Sequence, residues 1–205
     1  MTLAPTPTPQ RLVIAVSGAS GSLLGLRLLQ LMQQALGWET HLVLSSAAVL
    51  TAKLELNETR ETFEALATQV HSNKDIGASI ASGSFRTAGM VVIPCSMNTL
   101  SGIANGASSN LITRAADVTL KERRKLVLVT REAPLNLIHL RNMTLATEAG
   151  AVIMPPVPSF YLGPCSLDDA VTQMAGRVLD QFNIDVPGMK RWDGPVQAST
   201  AAQNF

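Results

Sequence analysis

Five short apolar runs recur along the chain, and most lead into residues at helical spacing. Arg11-Leu-Val-Ile-Ala-Val16 is the first and ends at a Gly/Ser turn. Leu24, Leu28, Leu31 and Met32 then mark one face of a helix over 20–36, stopped near Gly37. Glu39-Thr-His-Leu-Val-Leu44 predicts a second strand, followed by helices over 46–54 and 60–69. Gly89-Met-Val-Val-Ile93 predicts a third strand, broken by Pro94, with helical patterns through Lys121. Lys125-Leu-Val-Leu-Val-Thr130 is the fourth strand, 136–149 a helix, Ala151-Val-Ile-Met154 the fifth strand and 166–182 the last helix. Residues 183–205 show no period, and their end reads as a loose tail. No internal repeat is present.

Strands that alternate with helices predict an α/β fold. Its sheet is doubly wound and mostly parallel, with helices on both faces in a Rossmann- or flavodoxin-like three-layer arrangement. The expected organisation is a disordered lead-in over 1–10, one domain over 11–192 and a tail over 193–205. In such sheets ligands bind beyond the carboxyl ends of the strands. The residues expected there are Ser17-Gly-Ala-Ser-Gly21, Ser45-Ser46, Pro94-Cys-Ser-Met-Asn-Thr99, Arg131-Glu132, Pro155-Pro156 and Tyr161.

Composition narrows the class. The chain of 205 residues is 46% apolar, 15% charged and 4% aromatic, so an aliphatic core is expected. The apolar share is high for so small a monomer, which points to a sheet covered on both faces and to subunit contacts. A net charge of +1 gives no field favouring nucleic acid or an anionic membrane. No apolar run approaches a bilayer span. Met1–Gln10 is Thr/Pro-rich, without the basic and apolar regions of a signal peptide. Cys95 and Cys165 do not make a disulfide framework. The expected compartment is the cytoplasm.

In the first turn, Gly18 and Gly21 let backbone amides approach an anion, and Ser20 can donate or cap the helix. The same residues also suit a plain strand-to-helix turn. The pattern is not Gly-x-Gly-x-x-Gly, and no Lys-Ser/Thr follows as in a P-loop. A dinucleotide fold wants an acid after strand two, where Ser45 and Ser46 stand. A mononucleotide phosphate held by hydroxyls and amides fits better, and Ser96-Met97-Asn98-Thr99 offers side chains to the same crevice. Arg114, Lys121, Arg131 and Arg177 are candidate cations for a second anion site. Arg131-Glu132, placed directly after an apolar strand, sets a carboxylate beside a cation where protons can be traded. His41, His71 and His139 have no paired spacing and are expected to be separate, structural or exposed. Asp168-Asp169 suits a helix N-terminus. Cys95 reads as a buried small residue. No metal site is expected.

Several long motifs, in order, resemble the UbiX-type flavin prenyltransferases. They are Ser-Gly-Ala-Ser-Gly at 17–21, Pro-Cys-Ser-Met-Asn-Thr-Leu-Ser-Gly at 94–102 and Arg-Ala-Ala-Asp-Val-x-Leu-Lys-Glu-Arg-Arg at 114–124. Arg131-Glu132-x-Pro134-Leu135 and Met154-Pro-Pro-Val-Pro-x-Phe-Tyr161 complete the set, and the resemblance covers residues 11–192. It implies joining a dimethylallyl group from its monophosphate to N5 and C6 of reduced flavin mononucleotide (FMN). The product, prenylated FMN, serves UbiD-type decarboxylases. It further implies a homo-oligomer, a dodecamer, with sites at subunit contacts and no metal. Gly18, Ala19, Ser20, Ser45, Ser96, Met97, Asn98, Thr99 and Arg131 would hold the flavin. Lys121, Tyr161 and Arg177 would hold the donor phosphate with Arg114 nearby, Glu132 would be the acid/base, and Trp192 would cover the prenyl group. Two rivals share the fold class: an FMN-dependent decarboxylase of the phosphopantothenoylcysteine type, and a flavin-binding protein without catalysis. The decarboxylases use a His near the end of strand two, where this chain has Ser45-Ser46.

Overall fold

The computed structural model describes residues 10–192 and Gly194. The lead-in expected over 1–10 and the tail over 193–205 lie outside the described residues, apart from Gln10 and Gly194. Gln10 already belongs to the first strand. The elements run β1 (Gln10–Val16), α1 (Ser22–Met32), β2 (Trp38–Leu44), α2 (Ser46–Leu56), α3 (Arg60–Glu64), β3 (Gln69–Ser72) and β4 (Gly89–Cys95). Then come α4 (Met97–Ala104), α5 (Leu111–Lys121), β5 (Lys125–Thr130), α6 (Leu137–Glu148), β6 (Ala151–Ile153) and α7 (Leu167–Asp180), with short 3-10 turns at Ser79–Ala81 and Phe160–Leu162.

The six strands form one parallel sheet in the order β3-β2-β1-β4-β5-β6. The chain winds outward from β1 in one direction and from β4 in the other, so the crevice between these strands is the switch point. Side chains alternate between the two faces. Leu12, Ile14, Val91, Ile93, Val127 and Val129 pack under α1, α2 and α7. Val13, Ala15, Met90, Val92, Leu126 and Leu128 pack under α4, α5 and part of α6. Helix α1 lies very close to the sheet: a Cβ at Gly25 would sit 2.7 Å from the Ile93 carbonyl oxygen. The parallel, doubly wound sheet is thus as expected.

Two segments differ. Pro94 does not break the third strand: β4 runs through it to Cys95, with a shift of register between Val92 and Cys95. The second difference is at the sheet's edge. The helix expected over 60–69 ends at Glu64, and Gln69–Ser72 becomes an edge strand. The cause is an exchange of hydrogen bonds across to β2. The Thr40 amide donates to Thr68 Oγ1 (3.1 Å), and the Thr68 amide donates to Thr40 Oγ1 (2.9 Å). This pins the chain alongside β2, and pairing continues from His41↔Gln69 to Leu44↔Ser72. A short polar edge strand carries no apolar run by which to recognise it.

Candidate active site

Four backbone links stitch the carboxyl ends of five strands into one rim. The Ser45 amide donates to the Val16 carbonyl, and the Ser17 amide to that of Pro94. The Arg131 amide donates to the Cys95 carbonyl, and the Met154 amide to that of Leu128. Ser17 reinforces the centre: its buried hydroxyl donates to the Pro94 carbonyl at 2.9 Å and accepts from the Ser96 amide at 2.8 Å. The Ile93-Pro94 and Ala133-Pro134 bonds on this rim are both cis.

Each turn presents donors. Gly18 has no room for a side chain, because a Cβ there would overlap the Ala47 methyl group. That close approach sets the β1 turn against the start of α2. The amides of Gly18, Ala19 and Ser20 have no hydrogen-bond partner among the described residues. Ser45 and Ser96 are the N-caps of α2 and α4, accepting from Ala48 N (3.0 Å) and Thr99 N (3.3 Å). The Ser96 hydroxyl donates to Thr99 Oγ1 at 3.1 Å. Met97, Asn98 and Thr99 form the first turn of α4, with Asn98 exposed. Arg131 is exposed and has no ion pair among the described residues. Unpartnered amides, capping hydroxyls and an unpaired guanidinium on one rim fit a phosphorylated, polar-ringed ligand.

Glu55 is a rim residue that the sequence patterns do not reveal. Its carboxylate accepts from the Gly21 amide (3.1 and 3.0 Å) and the Ser22 amide (2.9 Å). A protein anion therefore already caps the first turn of α1, where Gly21 takes a left-handed φ of 105°. The amides left for a ligand phosphate are those upstream, at 18–20. Burial opposes ionisation of Glu55, yet hydrogen bonds from the Ser20 hydroxyl and from Ser22 and Gly21 hold its carboxyl below the usual range. These contacts join residues more than 30 positions apart, so no local spacing announces them.

Beside the rim lies an apolar cleft of about 100 Å³. Leu24, Ile93, Val129, Met154 and Met174 line it, and Arg177 stands on its wall. Glu132 lies exposed at the end of β5, accepting from the Ala133 amide at 3.1 Å. Tyr161 sits in the 3-10 turn after the cleft's proline segment and meets the Trp192 ring edge to face, with centroids 5.4 Å apart. Arg177 pairs with Asp180 at 2.5 Å.

The remaining cations are elsewhere. Helix α5 starts at the strands' carboxyl end, where Asn73 accepts from the Ile112 amide, and runs back to the amino end of β5. Lys121 therefore lies near the start of β5, its ammonium against Gly83 and paired with Glu122 at 2.5 Å. Arg114, farther up α5, pairs with Asp117 at 2.8 Å. One chain brings Tyr161 and Trp192 together, sets Arg177 on the cleft wall and leaves Lys121 at the far end.

The histidines correct the sequence reading. His41 and His71, expected to be separate, meet across β2 and β3 with Nδ1 and Nε2 2.9 Å apart and rings stacked. Strand pairing, not sequence spacing, brings them together. Cys95 is fully buried, and burial pushes its thiol up to about 12. Among the described residues no three His, Cys, Asp or Glu side chains gather to hold a metal.

Residues 5–177 match the Flavoprotein family. Flavin prenyltransferase UbiX of Escherichia coli K12 is 55% identical over 187 residues, spanning 90% of this chain and 99% of that protein. The chain belongs to the UbiX flavin prenyltransferase family. The mitochondrial flavin prenyltransferase PAD1 of Saccharomyces cerevisiae is 50% identical, over 92% of this chain and 77% of its own length. Among solved structures, AnUbiX (PadA1) in complex with FMN and dimethylallyl pyrophosphate superposes with a TM-score of 0.89 at 49% identity, covering 91% of this chain and 99% of that one. A dodecameric FMN-dependent Ubix-like decarboxylase from E. coli O157:H7 gives 0.88 at 48% identity, covering 90% and 100%. A phosphopantothenoylcysteine-type (PPC) decarboxylase, at 18% identity and 0.60, shares the fold alone. No described helix is long and apolar enough to cross a membrane.

Proposed function

We infer that residues 11–192 act as one flavin-binding unit that joins a dimethylallyl group, from dimethylallyl monophosphate, to N5 and C6 of reduced FMN. The observation that carries this reading is the junction of two unlike surfaces. A donor-rich rim suited to a nucleotide adjoins an apolar cleft with Arg177 on its wall. A plain flavin carrier has no use for the second surface.

Reduced FMN supplies the electron-rich ring that accepts the prenyl group. The chain's own residues do the rest. The amides of 18–20 take the FMN phosphate, with Ser45, Ser96, Met97, Asn98, Thr99 and Arg131 along the flavin. Arg177 and Tyr161 bind the donor phosphate and stabilise its growing charge as the allylic carbon–oxygen bond breaks. Glu132 gives a proton to the departing phosphate or takes the one lost from the ring. Glu55 orients the Ser20 hydroxyl through their hydrogen bond. The walls of Leu24, Met154 and Met174 keep water from the reactive carbon.

The cation set closes only between copies. Lys121, with Arg114 nearby, would reach the donor phosphate of a neighbouring subunit. Leu137, Ile138, Leu140 and Leu145 of α6 are exposed and offer apolar surface for such packing. A homo-oligomer, as in the dodecameric relative, follows. The enzyme works in the cytoplasm, and its prenylated FMN serves a UbiD-type decarboxylase.

Anaerobic incubation of reduced FMN, dimethylallyl phosphate and purified protein, followed by mass spectrometry, tests the reading. A flavin heavier by one isoprene unit is expected. No mass gain, or carbon dioxide release from an aromatic acid with oxidised FMN alone, rejects it.

A further inference from the structure

Four consecutive residues near the end of the described chain each grip a different part of the donor side. Met189 packs on Gly176, the residue before Arg177, so closely that a Cβ there would overlap its thioether. The Lys190 ammonium donates to the Leu162 carbonyl at 3.4 Å. Arg191 donates through both terminal nitrogens to the two carboxylate oxygens of Asp180, at 3.0 and 2.9 Å. Trp192 lies edge to face with Tyr161. These residues form a strap from α7 to the 3-10 turn that carries Tyr161.

Asp180 is the node. Its side chain is only 13% exposed, whereas Arg177 and Arg191 are each 47% exposed. One carboxylate thus receives two guanidinium groups, one from the cleft and one from the strap. A fork-to-fork pair fixes direction as well as distance. Arg177 spends one terminal nitrogen on Asp180, which aims the rest of its fork. Neither interaction belongs to the acid–base or phosphate chemistry itself.

We propose that Asp180 is a positioning residue for the donor side: it orients Arg177 and, through Arg191, anchors the strap that holds Trp192 against Tyr161. The proposal rests on the prenyl-transfer reading for its kinetic consequence, but not for its structural one. Its prediction is linked behaviour of two distant side chains, the donor cation and the covering indole.

The test uses full-length protein carrying Trp38→Phe, which leaves Trp192 as the one tryptophan because the sequence has two. Asp180→Ala, Arg191→Ala and the double variant are compared. Arg191 lies on the exposed strap, so its variant keeps the test alive if Asp180→Ala folds poorly. Acrylamide quenching of Trp192 should rise in both single variants and rise no further in the double. The KM for dimethylallyl phosphate should rise about tenfold in Asp180→Ala, the scale of a lost charged hydrogen bond. Flavin affinity should stay at the parent value, and Arg191→Lys should recover part of the quenching protection. Parent-like quenching in Arg191→Ala, or additive effects in the double variant, would overturn the proposal. So would an equal loss of flavin and donor binding. Quenching needs no turnover, so a parent protein that fails to prenylate FMN would sink the functional reading and leave the strap to be judged separately.

Discussion

The two halves of this site are built differently. The flavin rim is made of backbone. Its turns are bonded to one another through Ser17, Val16, Pro94 and Cys95, and its caps come from adjacent helices. The donor side is made of long side chains. Arg177, Tyr161 and Trp192 are all more than two-fifths exposed; Arg177 is held by Asp180, and Tyr161 and Trp192 by each other. On the proposed reading, the rim is complete in one chain, while the donor side needs Lys121 from another copy. A rim built this way can be ready before any ligand comes. A clamp shared between subunits, as proposed, would form only in the assembly and would tie donor turnover to the oligomer.

The sharpest way to separate the halves is to remove the proposed proton carrier and leave both surfaces. Glu132→Gln keeps shape and hydrogen-bonding capacity, so both ligands should still bind. Turnover should fall by about 10²–10⁴, the usual contribution of a general acid or base. A variant with native turnover would move the proton step elsewhere on the rim, with Glu55 the next carboxylate to test.

Removing a donor cation should give a smaller, one-sided effect. Arg177→Ala is expected to raise the KM for dimethylallyl phosphate about thirtyfold. Flavin affinity, read by fluorescence titration, should not change. Arg177→Lys should recover only part of the loss, because a point charge replaces a fork. Joint loss of flavin and donor binding would erase the distinction between the halves.

The contrast also explains what the sequence could disclose. Strands β1, β2, β4, β5 and β6 carry apolar runs, so they and the parallel sheet were legible from period alone. Strand β3 was not, since Gln69–Ser72 is polar and set by the Thr40–Thr68 exchange. The rim's hydroxyl and glycine turns were legible because they follow buried strands directly. Glu55 was not: its partners lie 33 and 34 residues away, and nothing at that spacing marks an acid in the last turn of α2. Asp180 ends α7 with no pattern in the sequence to mark it, and only its partners give it meaning. On residues alone Lys121 is one of four candidate cations; the donor roles proposed for Lys121 and Trp192 rest on resemblance.

The rim should tolerate little change of volume. Gly18→Ala places a methyl group on that of Ala47, and neither side can swing away. A cost of about 2 kcal/mol in stability is expected, the scale of overpacking a tight contact. Flavin affinity should weaken with it. Ala47→Gly in the same chain should restore much of both, because it removes the other half of the overlap. Denaturant unfolding with and without FMN reads the two effects. If the double variant is as impaired as the single, the Gly18 backbone itself is what the ligand needs.

The smallest effect belongs to the edge of the sheet, away from both halves. Burial first, then the ring of His71, push His41 down from 6.5 to about 4, against an opposing pull from Glu39. Burial also lowers His71, with Asp75 opposing. Both rings therefore stay neutral in the fold at pH values where the unfolded chain takes up protons. Above pH 6.5 neither state is protonated at His41, and the residue adds no pH dependence. Between 6.5 and about 4 the unfolded state alone binds the proton, so stability falls as pH falls. Below that, the folded state protonates too and the loss levels off. The loss by pH 5 should be on the order of 1–2 kcal/mol from His41, which is only 6% exposed. His41→Gln keeps a hydrogen-bonding partner for His71 without titrating, and should flatten the slope of melting temperature against pH in that window. Because the pair holds β3 to β2 and Asn73 just beyond β3 holds the start of α5, acid should loosen the edge strand and α5 first. Hydrogen exchange at pH 5 should show protection lost over 69–73 and 111–113 while the Ser17–Ser96 link stays closed. Equal loss at that link would mean that the rim depends on the edge after all.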